Sequence, residues 1–146
     1  MGRTESEYLE KLAAYAAQAR TFLSNKMKPE RERSVCRSFL RAIGVSFIES
    51  ELIAPAAEPA DVAFRGARFQ VRDILRGRRR GDDWRVKEHL YAEAQSISEL
   101  LQPYSPPTAV GLNSLTLEVT AALSQKAIKY GAGCRTLDAL TYVDLE

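Results

Sequence analysis

The chain is predicted to be a mixed α/β domain with a sheet of about four strands flanked by helices. Two observations predict it: apolar side chains recur every three to four residues in three segments and more loosely in a fourth, and the period switches to two around residues 45–53, 61–75 and 137–145. At 146 residues the chain suits one domain spanning residues 1–146, long enough to bury about 70% of the surface its unfolded form exposes.

The first segment, residues 4–24, places Tyr8, Leu12, Tyr15, Ala19 and Phe22 on one helical stripe, and Thr4 with Glu7 supplies a capping box. Pro29 opens a second helix that Gly44 closes. Its expected buried stripe is Val35, Cys36, Phe39, Leu40 and Ile43. Glu32, three and four residues before Val35 and Cys36, falls on the core-facing side, whereas Glu30 does not. VSFIESELI is then predicted as a strand and PAAEP as a linker. DVAF and RFQVRDIL alternate around Arg65-Gly66, a tight-turn pair, and form a hairpin from Asp61 to Leu75. Asp82 and Asp83 can cap a helix from Trp84 towards Ser98. QPYSPPTAVG must be loop, with three prolines and a glycine in ten residues. A last helix runs from Ser114 to Tyr130, GAG stops it, and LDALTYVDL closes the chain as a strand.

Composition excludes several classes. Arg3, Glu5, Glu7, Glu10 and Lys11 interrupt any signal-peptide core, and no apolar run reaches bilayer length, so the reading is a protein without membrane association. Cys36 and Cys134 lack metal-ligand spacing and sit beside apolar residues, which suits small core side chains in a reducing cytoplasm. His89 is the only histidine and is assigned to surface or packing. No serine or cysteine has a histidine placed for nucleophilic work, and the pair Gly131 and Gly133 fits helix termination. The net charge of +2 is small, but RGRRRGDD packs Arg76, Arg78, Arg79 and Arg80 into five positions. Such a run is either a phosphate-attracting field or a solvated basic loop.

The polar residues of the hairpin raise a chemical question. Gln70 and Arg72 share one strand face, and a turn at Arg65-Gly66 brings Asp61 beside the strand bearing Gln70. A phosphodiester-cutting site needs oxygen ligands for an octahedral ion and a cation near the scissile phosphate. Asp61, Gln70 and Glu32 can supply the oxygens and Arg72 the cation. The structural alternatives are a strand-opening aspartate for Asp61 and a carboxylate near a helix N-terminus for Glu32.

FLSNKMKPERERSVCRSFL, AAEPADVAFRGARFQV, GRRRGDDW and LDALTYVDL together resemble the PD-(D/E)xK (restriction-endonuclease-like) nuclease superfamily. They are most similar to a bacterial family catalogued as endonucleases of otherwise unknown function. The resemblance implies a restriction-endonuclease-like fold, DNA as partner, and Mg²⁺ or Mn²⁺ as cofactor. It maps Glu32 onto the helix glutamate and Asp61 onto the motif aspartate, here preceded by Ala60 instead of proline. Gln70 stands in place of the second acid and Arg72 in place of lysine. Arginine keeps the charge but stays protonated, so it can clamp phosphate and cannot act as a general base. Relatives of this kind often continue beyond the last strand seen here.

Two other functions are carried forward. One is a non-catalytic nucleic-acid-binding or regulatory module on the same fold. The other is a homodimeric interaction domain in which the N-terminal helix pairs with a copy of itself, signalled by an exposed Tyr8, Leu12, Tyr15, Ala19, Phe22 stripe.

Overall fold

The computed structural model describes residues 4–74, 80–106 and 108–143, with Arg80 described in its backbone alone. Contacts gather the chain into two compact units. One comprises Met1–Lys28 with Gly77–Thr108, the other Pro29–Arg76 with Ala109–Glu146. Each unit therefore draws on two separate stretches of the sequence expected to form one domain.

The first unit is built on α1 (Glu5–Phe22) packed along α3 (Arg80–Glu93). The capping box forms as expected: Glu7 N–H donates to Thr4 Oγ1 and Thr4 N–H to Glu7 Oε2, both at 3.3 Å. Leu9 and Ala16 are the buried residues of α1, Tyr15 meets Trp84 edge-on at 5.4 Å, and Arg20 pairs with Glu88 at 2.8 Å. The helix expected from Trp84 to Ser98 starts and ends earlier. Asp82 and Asp83 lie inside its first turn, where the dipole favours them, and are not its cap. It stops at Glu93 because Glu99 competes for the following backbone and side chains. Its carboxylate accepts from Gln95 N–H and Ser96 Oγ, and a short 3₁₀ turn, Ile97–Leu100, follows.

The second unit holds α2 (Lys28–Ala42), α4 (Leu112–Tyr130) and a three-stranded sheet in the order β1 (Val62–Phe64), β2 (Ala67–Ile74), β3 (Asp138–Val143). β1 pairs antiparallel with β2, and β2 parallel with β3. α2 ends as expected at Gly44, whose positive φ of 75° lets Val45 N–H reach Leu40 O at 2.9 Å and Gly44 N–H reach Arg41 O at 3.1 Å. Cys36 and Leu40 of α2 pack with Leu52, Val62, Phe64, Phe69, Val71 and Leu140 to form the core. The predicted stripe was too wide. Phe39 stays 36% exposed while touching Phe69 edge-on, and Ile43 is 55% exposed, since the sheet is only three strands wide here.

The expected fourth strand, VSFIESELI, does not form. Its acids take other partners: Glu51 accepts from Ile48 N–H at 2.9 Å, which folds Glu49–Glu51 into a 3₁₀ turn, while Glu49 is drawn to Arg37. Local side-chain bonds to the backbone outcompete the ladder. What remains of the strand is a single bridge, Ile53 to Ala63.

Candidate functional site

The β1–β2 hairpin carries the predicted residues. At its tip Arg65 and Gly66 both have positive φ, 45° and 87°, as a two-residue hairpin turn demands. Register Val62↔Phe69 then sets residue 61 opposite residue 70 at the other end of the short ladder. Asp61 N–H donates to Phe69 O at 2.8 Å, which extends the pairing one residue past β1 and turns the carboxylate onto β2.

There Asp61 Oδ2 accepts two hydrogen bonds, one from Gln70 Nε2 and one from Val71 N–H at 2.8 Å. Gln70 is 5% exposed and is the buried polar residue among those described. Its amide nitrogen is satisfied by Asp61, yet its Oε1 is buried with no hydrogen-bond partner among the described residues. Two positions along the same face, half-buried Arg72 has its Nε in the same condition. A buried acceptor and a buried donor are thus left unmatched side by side on one strand face, an arrangement that costs about 1–3 kcal/mol per group without a partner.

The neighbouring strand adds little bulk to this face. Ala139 registers with Gln70 and Thr141 with Arg72, so small side chains of β3 flank the pair. Arg68 lies on the same face, two residues before Gln70, and donates to Thr136 Oγ1 at 3.2 Å. Sequence reading left Arg68 out, although its period-two spacing with Gln70 and Arg72 was available; the parallel register that adds Thr141 was not.

Glu32 lies half-buried in the first half of α2 and is itself engaged, but it is not among the bonded partners of Asp61. Glu30, expected to face away, is equally half-buried, paired with Arg33 at 2.5 Å and Arg37 at 3.4 Å. Among the described residues no three His, Cys, Asp or Glu side chains gather into a group that could hold a metal. Any ion at Asp61 would therefore rest on fewer protein carboxylates than a three-acid site. Mg²⁺ tolerates that, since it keeps several waters and takes one or two carboxylates plus phosphate. The donor types present suit such an ion once the Gln70 amide is turned: both hydrogen bonds to the Asp61 side chain fall on Oδ2, and Gln70, which now faces Asp61 with Nε2, carries an unmatched Oε1.

Arg76, Arg78 and Arg79 lie outside the described residues, as does the side chain of Arg80. His89 is exposed and pairs with Glu93 at 3.3 Å, in keeping with a surface role. Cys36 is buried and free, with burial pushing its thiol pKa up, and Cys134 is free as well. No helix among the described residues is long and apolar enough to cross a membrane.

These features define a mixed α/β protein with an acid–amide–arginine row, buried at Gln70 and half-buried at Asp61 and Arg72, on the face of a three-stranded sheet whose central strand carries the amide and the arginine. The chain belongs to the family described as "putative endonuclease, protein of unknown function", which matches residues 4–146. A solved structure of a protein of unknown function from Pseudomonas aeruginosa strain PAO1, described as of the monooxygenase superfamily, is also similar. It is 30% identical over 97% of this chain, with a TM-score of 0.56. This chain spans 65% of that protein's length. None of the curated proteins matches.

Proposed function

We propose that the chain, taken as one nuclease-like domain over residues 1–146, is a divergent metal-dependent nuclease of the cytoplasm acting on DNA phosphodiesters. Its fold would be a reduced variant of the restriction-endonuclease-like type. The observation that carries this reading is the unmatched pair, Gln70 Oε1 and Arg72 Nε, next to the Asp61 carboxylate. An acceptor seeks a cation or donor, a guanidinium seeks an oxyanion, and a cation with a phosphate supplies both at once. The family's description agrees with that chemistry. The monooxygenase wording belongs to the solved relative, and the acid–amide–arginine row favours phosphate chemistry over it.

In this reading Asp61 and Gln70, with Glu32 from α2, would hold Mg²⁺ or Mn²⁺. Bound there, the ion would supply Lewis-acid stabilisation of the phosphate oxygens. The Gln70 amide would turn about its last bond to present Oε1 on the Asp61 side, which breaks its present donation to Oδ2. Arg72 would clamp the phosphate through its guanidinium fork and, always protonated, would take no proton from the attacking water. Arg76, Arg78, Arg79 and Arg80, which follow β2 in the chain, would contact the DNA backbone.

A second reading, a non-catalytic nucleic-acid-binding module, is favoured by the two bonds that already satisfy Asp61 Oδ2 within the hairpin. Cleavage of plasmid and linear DNA with Mg²⁺ or Mn²⁺ separates the two. Gln70→Glu, which restores a third carboxylate, should reveal or raise cleavage, Gln70→Glu with Arg72→Lys should raise it further, and Asp61→Ala should abolish it. A folded double variant that binds DNA but does not cut would replace the nuclease with the binding module.

A further inference from the structure

α1 carries two apolar rows. Leu9 and Ala16 form one, buried where the helix packs along α3. Tyr8, Leu12, Tyr15, Ala19 and Phe22 form the other, with steps of four and three that keep it on one side of the helix as a coiled-coil seam does. The sequence pattern gives the second row alone; the structure adds the first. In the second row Leu12 and Ala19 are half-buried, but Tyr8 keeps 44% of its surface exposed and Tyr15 58%. Phe22, already in contact within its own chain, still exposes 40%. Aromatic side chains in a row of this kind are the residues that enrich the centres of protein interfaces.

Charge indicates the occupant. The first turns of α1 carry Glu5, Glu7 and Glu10 against a single Lys11, whereas Lys26 and Lys28 follow its C-terminal end. Two parallel copies would bring like ends together; two antiparallel copies set each acidic end on the other's basic end. The row has the matching symmetry, since Tyr8 and Phe22 each stand seven residues from Tyr15. A two-fold axis at Tyr15 brings Tyr8 of one copy to Phe22 of the next and Tyr15 to its own counterpart.

We infer that the chain associates with a second copy of itself, antiparallel, through the Tyr8–Tyr15–Phe22 row of α1. The seam is 18 residues long, about 27 Å, and falls at the low end of specific interfaces, under about 1,200 Å² in total. The dimer is accordingly weak, with a dissociation constant on the order of 10–100 μM.

Sedimentation equilibrium of the whole chain tests this. Dimer should accumulate across that range, and Tyr8→Glu and Phe22→Glu should each weaken it at least about tenfold with unchanged circular dichroism. Direction is tested separately by mild oxidation of cysteine variants. Disulfide-linked dimer should form when Tyr8→Cys and Phe22→Cys proteins are mixed, and stay scarce when either is oxidised alone. A monomer at every concentration would overturn the proposal. So would a dimer unmoved by both glutamate substitutions, or one in which the Tyr8→Cys protein links to itself.

Discussion

The two ends of the β1–β2 hairpin are built from similar polar residues and match them in opposite ways. At the turn, exposed Arg65 is held by several partners: it donates to Glu51 at 2.7 and 3.0 Å and to Ser46 O at 2.8 Å, and its guanidinium lies 4.7 Å from the Phe64 ring centre. At the open end, Asp61 is matched, but Gln70 keeps a buried oxygen and Arg72 a buried nitrogen without partners. The turn end holds a strained backbone in place, and the bonds of Arg65 serve that task. The open end has more polar capacity than the fold uses, which is what a binding site for a cation and an oxyanion requires.

Substitutions should therefore separate the two ends. The largest effect on folding is expected at Gly66. Its φ of 87° suits glycine, so Gly66→Val should cost about 1–3 kcal/mol in urea or thermal unfolding. It should leave metal binding by the folded protein as it was. Equal loss of both would erase the distinction between the ends.

A smaller effect, dependent on pH, is expected at Arg65. The hydrogen bond from Arg65, followed by that from Ile48 N–H, holds the Glu51 carboxyl below its ordinary value of 4.5. A carboxyl whose folded pKa is depressed stabilises the fold above its unfolded value and loses that contribution as pH falls through the folded one. The stability difference between wild type and Arg65→Gln should thus be present at neutral pH and shrink below pH 4.5. It should remain modest because the pair is near solvent. A difference that grows on acidification would show that Arg65 acts through something other than Glu51.

The parts of this fold that were legible in the sequence are those fixed locally. Thr4 with Glu7, Gly44, and Arg65-Gly66 each specify a cap or turn through their own backbone preferences. The fourth strand was misread because Val45 to Ile53 alternates like a strand, while the bond from Ile48 N–H to Glu51 folds it locally and the pairs of Glu49 with Arg37 and Glu51 with Arg65 add to that. In the candidate site the adjacency of Asp61 and Gln70 followed from the turn. The unmatched state of Gln70 Oε1 did not, since it depends on what surrounds a side chain in three dimensions.

The central claim is that the open end of the hairpin is a cation site next to a phosphate clamp, and Mn²⁺-dependent thermal stability of the Gln70→Glu protein tests it most directly. Without metal, two carboxylates side by side should lower the melting temperature below wild type. Millimolar Mn²⁺ should then raise it by several degrees, because an ion bound only to the folded state stabilises by mass action, about 2.7 kcal/mol at a hundredfold excess over its dissociation constant. Adding Asp61→Ala should remove that response. A Gln70→Glu protein that melts below wild type and shows no response to Mn²⁺ would contradict the account and leave the hairpin as scaffold.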